Sequence, residues 1–293
     1  MKRLDSTEII FKVLAYTFLT VFALICLYPF VYAISAALSD KAAYYKGEVI
    51  LFPVNLQFDA FRDIIYMKRF WISYSNTLFV TFYGTIWALG TSILGAYALS
   101  KQRLIFRRGL NFYLVFTLWF SAGLVPQFLN YKGTQTIFNA IGIADDKWLI
   151  VIAMGMAAFN VVLLRNAFEN VPHEIEEAGI VDGANDFQLL TRVYVPMSKS
   201  TIATVGLFFG ISRWNGYFWA RIMTRNRNEW PLQVFIRDQL EEIMGMEYEA
   251  TTNYAPDSLI YAMVVCAIIP IIIIYPYIQK YFAKGVNVGG VKE

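Results

Sequence analysis

Residues 177–184 read Glu-Ala-Gly-Ile-Val-Asp-Gly-Ala, and residues 193–196 read Val-Tyr-Val-Pro. This stretch lies in a polar run between two long apolar segments, so it is a loop. Signals for helices and turns recur inside the loop, which indicates that it has a structure of its own. We interpret it as a docking device.

The loop predicts two short helices. Carboxylates cluster at the start of the first helix, where the positive end of the helix dipole favours them. They belong to Glu174, Glu176 and Glu177. Asp182-Gly183 is a turn dipeptide, and Asn185 with Gln188 three positions later is typical of a capping box for a second helix. Pro196 is expected to end that helix. Two such helices outside a bilayer would form a compact knob suited to a groove of another protein.

The composition indicates a membrane protein. The chain has 293 residues, of which 57% are hydrophobic and 17% aromatic, which is too apolar for a soluble domain of this size. Its formal net charge of +3 is too small to indicate a nucleic-acid partner.

Six apolar segments reach the length of about twenty residues that a membrane-spanning helix needs. They cover residues 13–38, 74–99, 110–130, 148–168, 201–223 and 259–281. The first is far longer than the core of a cleavable signal peptide. The sequence therefore predicts an all-α, polytopic membrane protein with six transmembrane helices.

The orientation follows from residues 101–108, Lys-Gln-Arg-Leu-Ile-Phe-Arg-Arg, the densest cation cluster in the chain. The positive-inside rule places such a short basic loop in the cytoplasm. With six spans, both termini and the loop at residues 170–197 are then cytoplasmic too.

The fifth predicted span carries an unusual polar set. Arg213, Tyr217 and Arg221 follow one another at intervals of four residues, which would align them on one helical face. An arginine within a membrane costs several kcal/mol and normally faces a bundle interior or a wet cavity. Arg213 lies deeper than Arg221, for which snorkelling to the headgroups is the alternative. We expect a substrate path here, formed by Arg213, Trp214, Asn215, Tyr217, Trp219 and Arg221.

The loop resembles a known family. Inner-membrane permease subunits of bacterial ATP-binding-cassette importers carry Glu-Ala-Ala, three residues, Gly, nine residues, Ile, one residue and Leu-Pro. Every gap is kept here, with Gly179, Val193 and Val195 as the departures. Gly179 is expected to weaken the first helix by about 0.5–1 kcal/mol relative to Ala.

Further segments resemble the oligosaccharide permeases related to the second subunit of the maltose importer. They cover residues 120–126, 159–166, 213–215, 230–233 and 285–292. The resemblance implies the permease fold of these importers, in a heterodimer of six plus six helices in the bacterial inner membrane. It also implies two cytoplasmic ATPase subunits and an extracytoplasmic solute-binding protein as partners.

The resemblance assigns roles to residues. The ATPase-coupling set is Glu177, Ala178, Gly179, Asp182, Gly183, Ala184 and Pro196, with Glu177 pairing with a basic residue of the ATPase. A tail containing Gly289 and Gly290 would reach the ATPase interface. The chain has no Gly-x-x-x-x-Gly-Lys-Ser/Thr stretch. ATP and Mg²⁺ are therefore expected in the partner, and this chain is expected to be a transport subunit without a cofactor, a metal site or a catalytic residue. The expected organisation is a helix with an outer loop (1–72), a five-helix core (73–282) and a tail (283–293).

The substrate is the least determined feature. Arg213, Arg221, Arg225 and Arg227 suit carboxylates, which guanidinium groups bind in bidentate fashion. We hypothesise an acidic oligosaccharide such as an alginate fragment, with Trp214, Tyr217 and Trp219 stacking on sugar rings. Alternatively, acids in the outer loops pair with these arginines, and the substrate is a neutral oligosaccharide.

Two other classes fit the sequence poorly. A self-contained secondary transporter would need an acidic residue well inside a span, and none occurs in the six segments. A membrane-embedded enzyme would need a catalytic group. The only histidine, His173, lies in the loop, and the sequence has no His-Glu-x-x-His metal motif.

Overall fold

The computed structural model describes residues 6–143, 145–245 and 252–285, and within these ranges the regular structure is entirely helical. In chain order the α-helices are α1 (Ser6–Ala37), α2 (Lys41–Tyr45), α3 (Asp59–Tyr66), α4 (Lys68–Ser100), α5 (Arg107–Trp119), α6 (Leu124–Ala140), α7 (Asp146–Ala153), α8 (Ala158–Glu169), α9 (His173–Val181), α10 (Asp186–Leu189), α11 (Val195–Met197), α12 (Lys199–Trp214), α13 (Phe218–Met223), α14 (Leu232–Gly245) and α15 (Pro256–Gly285). The all-α prediction is confirmed for this part of the chain. The predicted tail with Gly289 and Gly290 lies outside the described residues.

The helices group into two compact units. One comprises Met1–Lys68 and Ile236–Ile269, and the other comprises Arg69–Phe235 and Pro270–Glu293. The loop that opened the sequence analysis lies in the second unit, together with the basic loop and the fifth predicted span.

Side-chain hydrogen bonds to the backbone fold the first unit. The Ser35 hydroxyl donates to the Leu51 carbonyl at 2.7 Å, and the Gln57 amide donates to the Ser39 carbonyl at 2.7 Å. The Tyr254 hydroxyl donates to Asp63 of α3 at 2.5 Å. The first two bonds satisfy backbone carbonyls in the connection after α1, and the third ties α3 to the segment before α15. The apolar stretch of α1 itself is exposed.

Polar side chains of α4 hold the outer connection of the second unit. The Asn76 amide donates to the Asn228 carbonyl at 2.7 Å, and the Thr77 hydroxyl accepts from the Leu232 amide at 2.6 Å. Both side chains are buried, so their polar groups need such partners. α4 therefore carries buried polar residues within an apolar helix, because the backbone at and just before the start of α14 binds to them.

Three described helices are long and apolar enough to cross a membrane: Thr7–Ala37, Lys68–Ser100 and Pro256–Pro276. Two bent pairs raise the number to five if each pair counts as one span. α5 and α6 meet at 116°, and α7 and α8 meet at 46°. The predicted third and fourth spans are therefore each divided between two helices, and the count of six spans stays a prediction. In the third span the chain turns at Gly123, whose φ of +81° is accessible mainly to glycine.

The fifth span also differs from the prediction. α12 ends at Trp214 and α13 begins at Phe218, so residues 215–217 interrupt the helix. Arg213, Tyr217 and Arg221 consequently do not form one helical stripe, because the constant rotation of 100° per residue is lost between them. The spacing of four residues predicted that these side chains share one helix, but spacing alone does not reveal the break at residues 215–217.

Candidate functional site

The loop at residues 170–197 folds into two short helices, as predicted. α9 ends at Val181, and Gly183 takes a φ of +78° in the turn. Asn185 accepts from the Gln188 amide and the Gln188 side chain accepts from the Asn185 amide, both at 2.9 Å, so the predicted capping box is confirmed. We call residues 173–197 the knob.

The end of the second helix was predicted incorrectly. α10 is followed by a π-helical turn, Leu190–Tyr194, and then by α11, so Pro196 lies inside a helical run instead of ending it. Pro is tolerated here because it occupies the first turn of α11. A π turn is rare and is frequent at functional sites. This one carries Leu190 and Tyr194, which are both buried.

Gly179 permits close packing within the knob. A Cβ atom at this position would lie 2.6 Å from Cδ2 of Leu189, which is itself fully buried. The Leu189 methyl group therefore occupies the space that the alanine of the family pattern would need. The departure from that pattern has a packing reason that the sequence did not reveal.

The outer face of the knob combines exposed carboxylates with exposed apolar side chains. The carboxylates include Glu177, and the exposed large apolar residues nearby in sequence are Ile175, Ile180, Val181 and Phe187. Val181 and Phe187 expose 86% and 68% of their surface. An apolar group of this kind on a surface marks a site of protein interaction.

The inner face of the knob holds a buried charged cluster, Lys101–Glu176–Tyr194. The Lys101 ammonium contacts the Glu176 carboxylate and donates to the Tyr194 hydroxyl at 2.7 Å. That hydroxyl in turn donates to the second oxygen of Glu176, also at 2.7 Å. The ammonium lies 3.9 Å from the Tyr194 ring centroid and 4.5 Å from that of Tyr97.

The environment shifts the pKa values in this cluster. Burial acts to raise the pKa of Glu176, but hydrogen bonds from Lys101 and Tyr194 outweigh it, so the pKa is lowered. Burial lowers the pKa of Lys101, and the contact with Glu176 offsets only part of that effect. The ion pair thus compensates for part of the cost of burying an ammonium group. Such a pair specifies a position more than it adds stability.

A second, exposed contact joins the same elements. Asp186 of α10 pairs with Arg103 and accepts from the Tyr97 hydroxyl at 3.2 Å. Arg107 of the basic loop pairs with Glu169 at the end of α8, at 2.6 Å. The basic loop and the knob therefore lie at the same end of this unit.

Arg213 is buried at the break of the fourth span. Its guanidinium group donates to the Ile150 carbonyl at 2.9 Å and to the Met154 carbonyl, at the C-terminal end of α7. Only 4% of the residue is exposed, and Gly84 of α4 leaves room for its side chain. A cation here complements the helix dipole and satisfies carbonyls that a helix end leaves free.

The structure separates the residues of the predicted substrate path. Arg213, Asn215, Tyr217 and Trp219 line one cavity of about 370 Å³. Trp214 instead borders an apolar groove with Gly206 and Gly210. Arg221 stacks its guanidinium on the Trp230 ring, 4.5 Å from the centroid.

Two acids of the segment 224–258 bind groups other than Arg213, Arg221, Arg225 and Arg227. Glu229 accepts from the Asp146 amide at 2.6 Å and from Asn226 at 3.1 Å. Glu241 pairs with Arg237 within α14 at 3.1 Å. Arg227 lies over the Trp230 ring at 5.3 Å.

Sequence reasoning missed Lys101 and Tyr194 and assigned Glu176 only to a helix start. Two adjacent glutamates at residues 176 and 177 were visible, and adjacent helical residues point in different directions. Which of them faces the bundle depends on the docking of α9 and could not be read from the sequence.

Comparison with known proteins gives a consistent result. The family model for the binding-protein-dependent transport system inner membrane component matches residues 84–288. A polygalacturonan/rhamnogalacturonan transport system permease protein of Bacillus subtilis (strain 168), YtcP, is 35% identical over 97% of this chain and 98% of its own length. The inner membrane ABC transporter permease protein YcjP of Escherichia coli (strain K12) is 28% identical over 94% of this chain and 95% of its own.

A solved structure is similar throughout. A chain in the crystal structure of a bacterial ABC transporter involved in the import of the acidic polysaccharide alginate is 40% identical, with a TM-score of 0.86. The match covers 96% of this chain and all of that one. The family match spans more than half of the sequence, and permeases of this kind are transport components and not enzymes. The resemblance of the loop is thereby confirmed, and the chain belongs to the family of binding-protein-dependent transport system inner membrane components.

Proposed function

We propose that this chain is one of two permease subunits in an ATP-driven importer of acidic oligosaccharides. The similarity to the alginate importer, at 40% identity over nearly the whole chain, carries the proposal. The name of YtcP supports it, since polygalacturonan is a polymer of an acidic sugar. A second permease, two ATPases that bind ATP and Mg²⁺, and a solute-binding protein complete the assembly.

Six crossings arise in this proposal from both intact and broken helices. α1, α4 and α15 cross unbroken, and the pairs α5–α6, α7–α8 and α12–α13 supply the rest. α5 alone is about 20 Å long, less than the roughly 30 Å of a hydrocarbon core. The connection after it therefore completes that crossing. The positive-inside rule then places the basic loop, the knob and both termini in the cytoplasm.

The knob is the element that couples transport to ATP hydrolysis. Glu177 presents a charge for a basic residue of the ATPase, and Val181 and Phe187 supply an apolar contact area beside it. Closure of the two ATPases moves the knob as a rigid body and switches the bundle between two arrangements.

The cavity behind Tyr217 and Trp219 is the candidate substrate path. Its volume of about 370 Å³ lies within the range of small-molecule sites. Aromatic rings can stack on sugar rings there. Arg225 and Arg227, both exposed, provide guanidinium groups for carboxylates outside the cavity.

The test is ATP hydrolysis by the reconstituted complex with its binding protein, across matched neutral and uronate oligosaccharides. We expect stimulation by the uronates, lost in Glu177→Lys and reduced selectively for uronates in Arg225→Gln with Arg227→Gln. Arg237→Gln, which alters an exposed arginine paired within α14, serves as the matched control. Stimulation by neutral sugars alone would leave an importer and remove the acidic substrate.

A further inference from the structure

The two adjacent glutamates of α9 differ in burial, although both border one cavity with Lys101 and Tyr194. Glu177 is exposed, whereas the Glu176 side chain is only 13% exposed and contacts Lys101 and Tyr194. The family pattern singles out Glu177 and does not include Glu176, Lys101 or Tyr194 in the roles described above. The buried cluster therefore needs an explanation of its own.

The three members come from three different elements. Lys101 follows the last residue of α4, a helix of 33 residues. Glu176 lies on the first helix of the knob, and Tyr194 ends the π turn of the second. Each of the three polar groups contacts the other two, so neither knob helix can move relative to α4 without breaking a buried contact.

The cluster is surrounded by packed aromatic rings. The Tyr194 ring packs against Tyr97 of α4 at 5.2 Å and against Phe168 of α8 at 5.8 Å. Only 7% of the surface of Lys101 is exposed. Because close-packed interiors transmit displacement, a force on the outer face of the knob reaches α4 and α8 through this point.

We propose that Lys101, Glu176 and Tyr194 are positioning residues that transmit knob movement to the cytoplasmic ends of α4 and α8, whereas Glu177 makes the contact with the ATPase. This inference rests on the proposed function, since it requires an ATPase that moves the knob. It assigns the two glutamates separate tasks: one attaches the partner, and the other attaches the knob to the bundle.

The test compares single and double variants in the complete complex, reconstituted with its ATPases and binding protein. Glu176→Gln and Lys101→Met each remove one charge, and the double variant removes both without leaving a buried charge unpaired. The control pair is Glu8→Gln with Lys12→Met, because these residues form an exposed ion pair at 2.8 Å on α1. Three quantities are measured: the ATPase retained on purification, the ATP hydrolysis rate, and the substrate transported per ATP.

We expect Glu176→Gln to retain the ATPase and to lower transport per ATP about fivefold or more, as loss of coupling between two sites does. The double variant should restore any assembly defect of Lys101→Met, yet its transport per ATP should stay low. A purely structural pair would recover both quantities in the double variant, and that result would overturn the inference.

The outcomes separate this inference from the proposed function. If the wild-type chain retains no ATPase and transports nothing on ATP addition, the proposed function fails. If the wild-type complex transports and Glu176→Gln matches it in transport per ATP, only the transmission role fails. Glu177→Lys should differ from the wild type and from Glu176→Gln, because it should lose the ATPase on purification.

Discussion

Replacement of Arg213 by methionine should destabilise the permease. The guanidinium group donates to the carbonyls of Ile150 and Met154, and methionine would leave both without this donor. A buried unsatisfied carbonyl costs about 1–3 kcal/mol, so two would cost about 2–6 kcal/mol. A hydrogen bond within a membrane bundle contributes less on average, roughly 0.6 kcal/mol. We therefore expect a loss near the lower end of that range, about 2–3 kcal/mol for the two hydrogen bonds together.

Arg213→Lys is the informative companion. An ammonium group carries the charge but lacks the fork that reaches two carbonyls at once, so about half of the loss should remain, roughly 1–1.5 kcal/mol. Arg237→Met is the control, because Arg237 is exposed and pairs with Glu241 within α14.

The measurement is the thermal stability of the purified complex, followed by uptake. At about 2–4 °C per kcal/mol, Arg213→Met should lower the melting temperature by roughly 5–10 °C. It should reduce uptake of every transported oligosaccharide by the same factor, since the helix end that it holds serves them all. Unchanged stability with a selective loss of acidic substrates would refute this reasoning and would make Arg213 a substrate ligand.

Four further changes test the neighbouring contacts. Gly84→Ala places a methyl group 3.1 Å from the Arg213 side chain, and this overpacking should lower the free energy of unfolding by about 1 kcal/mol. A lower melting temperature would show it. Gly183→Ala forces a φ of +78° on a residue with a Cβ, which should cost about 1–2 kcal/mol and reduce the ATPase retained on purification. Asn185→Ala removes the capping box and should raise hydrogen exchange in α10 by an amount equivalent to about 1 kcal/mol. The pKa of Glu176 is lowered in the folded chain, so its contribution to stability should be present above its unfolded pKa of about 4.3. That contribution should disappear as the pH falls through the lower folded pKa. Stability measured against pH for wild type and for Glu176→Gln tests this, and identical curves would contradict it.

The breaks in the predicted spans show which features of the fold the apolar pattern predicts and which it does not. Apolar length located the three unbroken helices and the two bent pairs that are long and apolar enough to cross a membrane, because burial in a bilayer depends on composition summed over about twenty residues. The breaks at residues 120–123, 154–157 and 215–217 depend on which neighbouring groups satisfy the freed backbone. At residue 154 that group is Arg213, which lies 59 residues away in sequence. No local pattern reports such a partner.

The sequence by itself determined the helical class, the knob with its glycine turn and capping box, and the family, because each depends on local chemistry or on fixed spacing. Tertiary structure alone decided that Arg213 holds the end of α7, that Leu189 fills the space beside Gly179, and that Glu176 is buried against Lys101 while Glu177 stays exposed. These outcomes depend on how separate helices dock. Docking is decided by contacts between residues far apart in the chain, and the sequence does not indicate which of these residues contact one another.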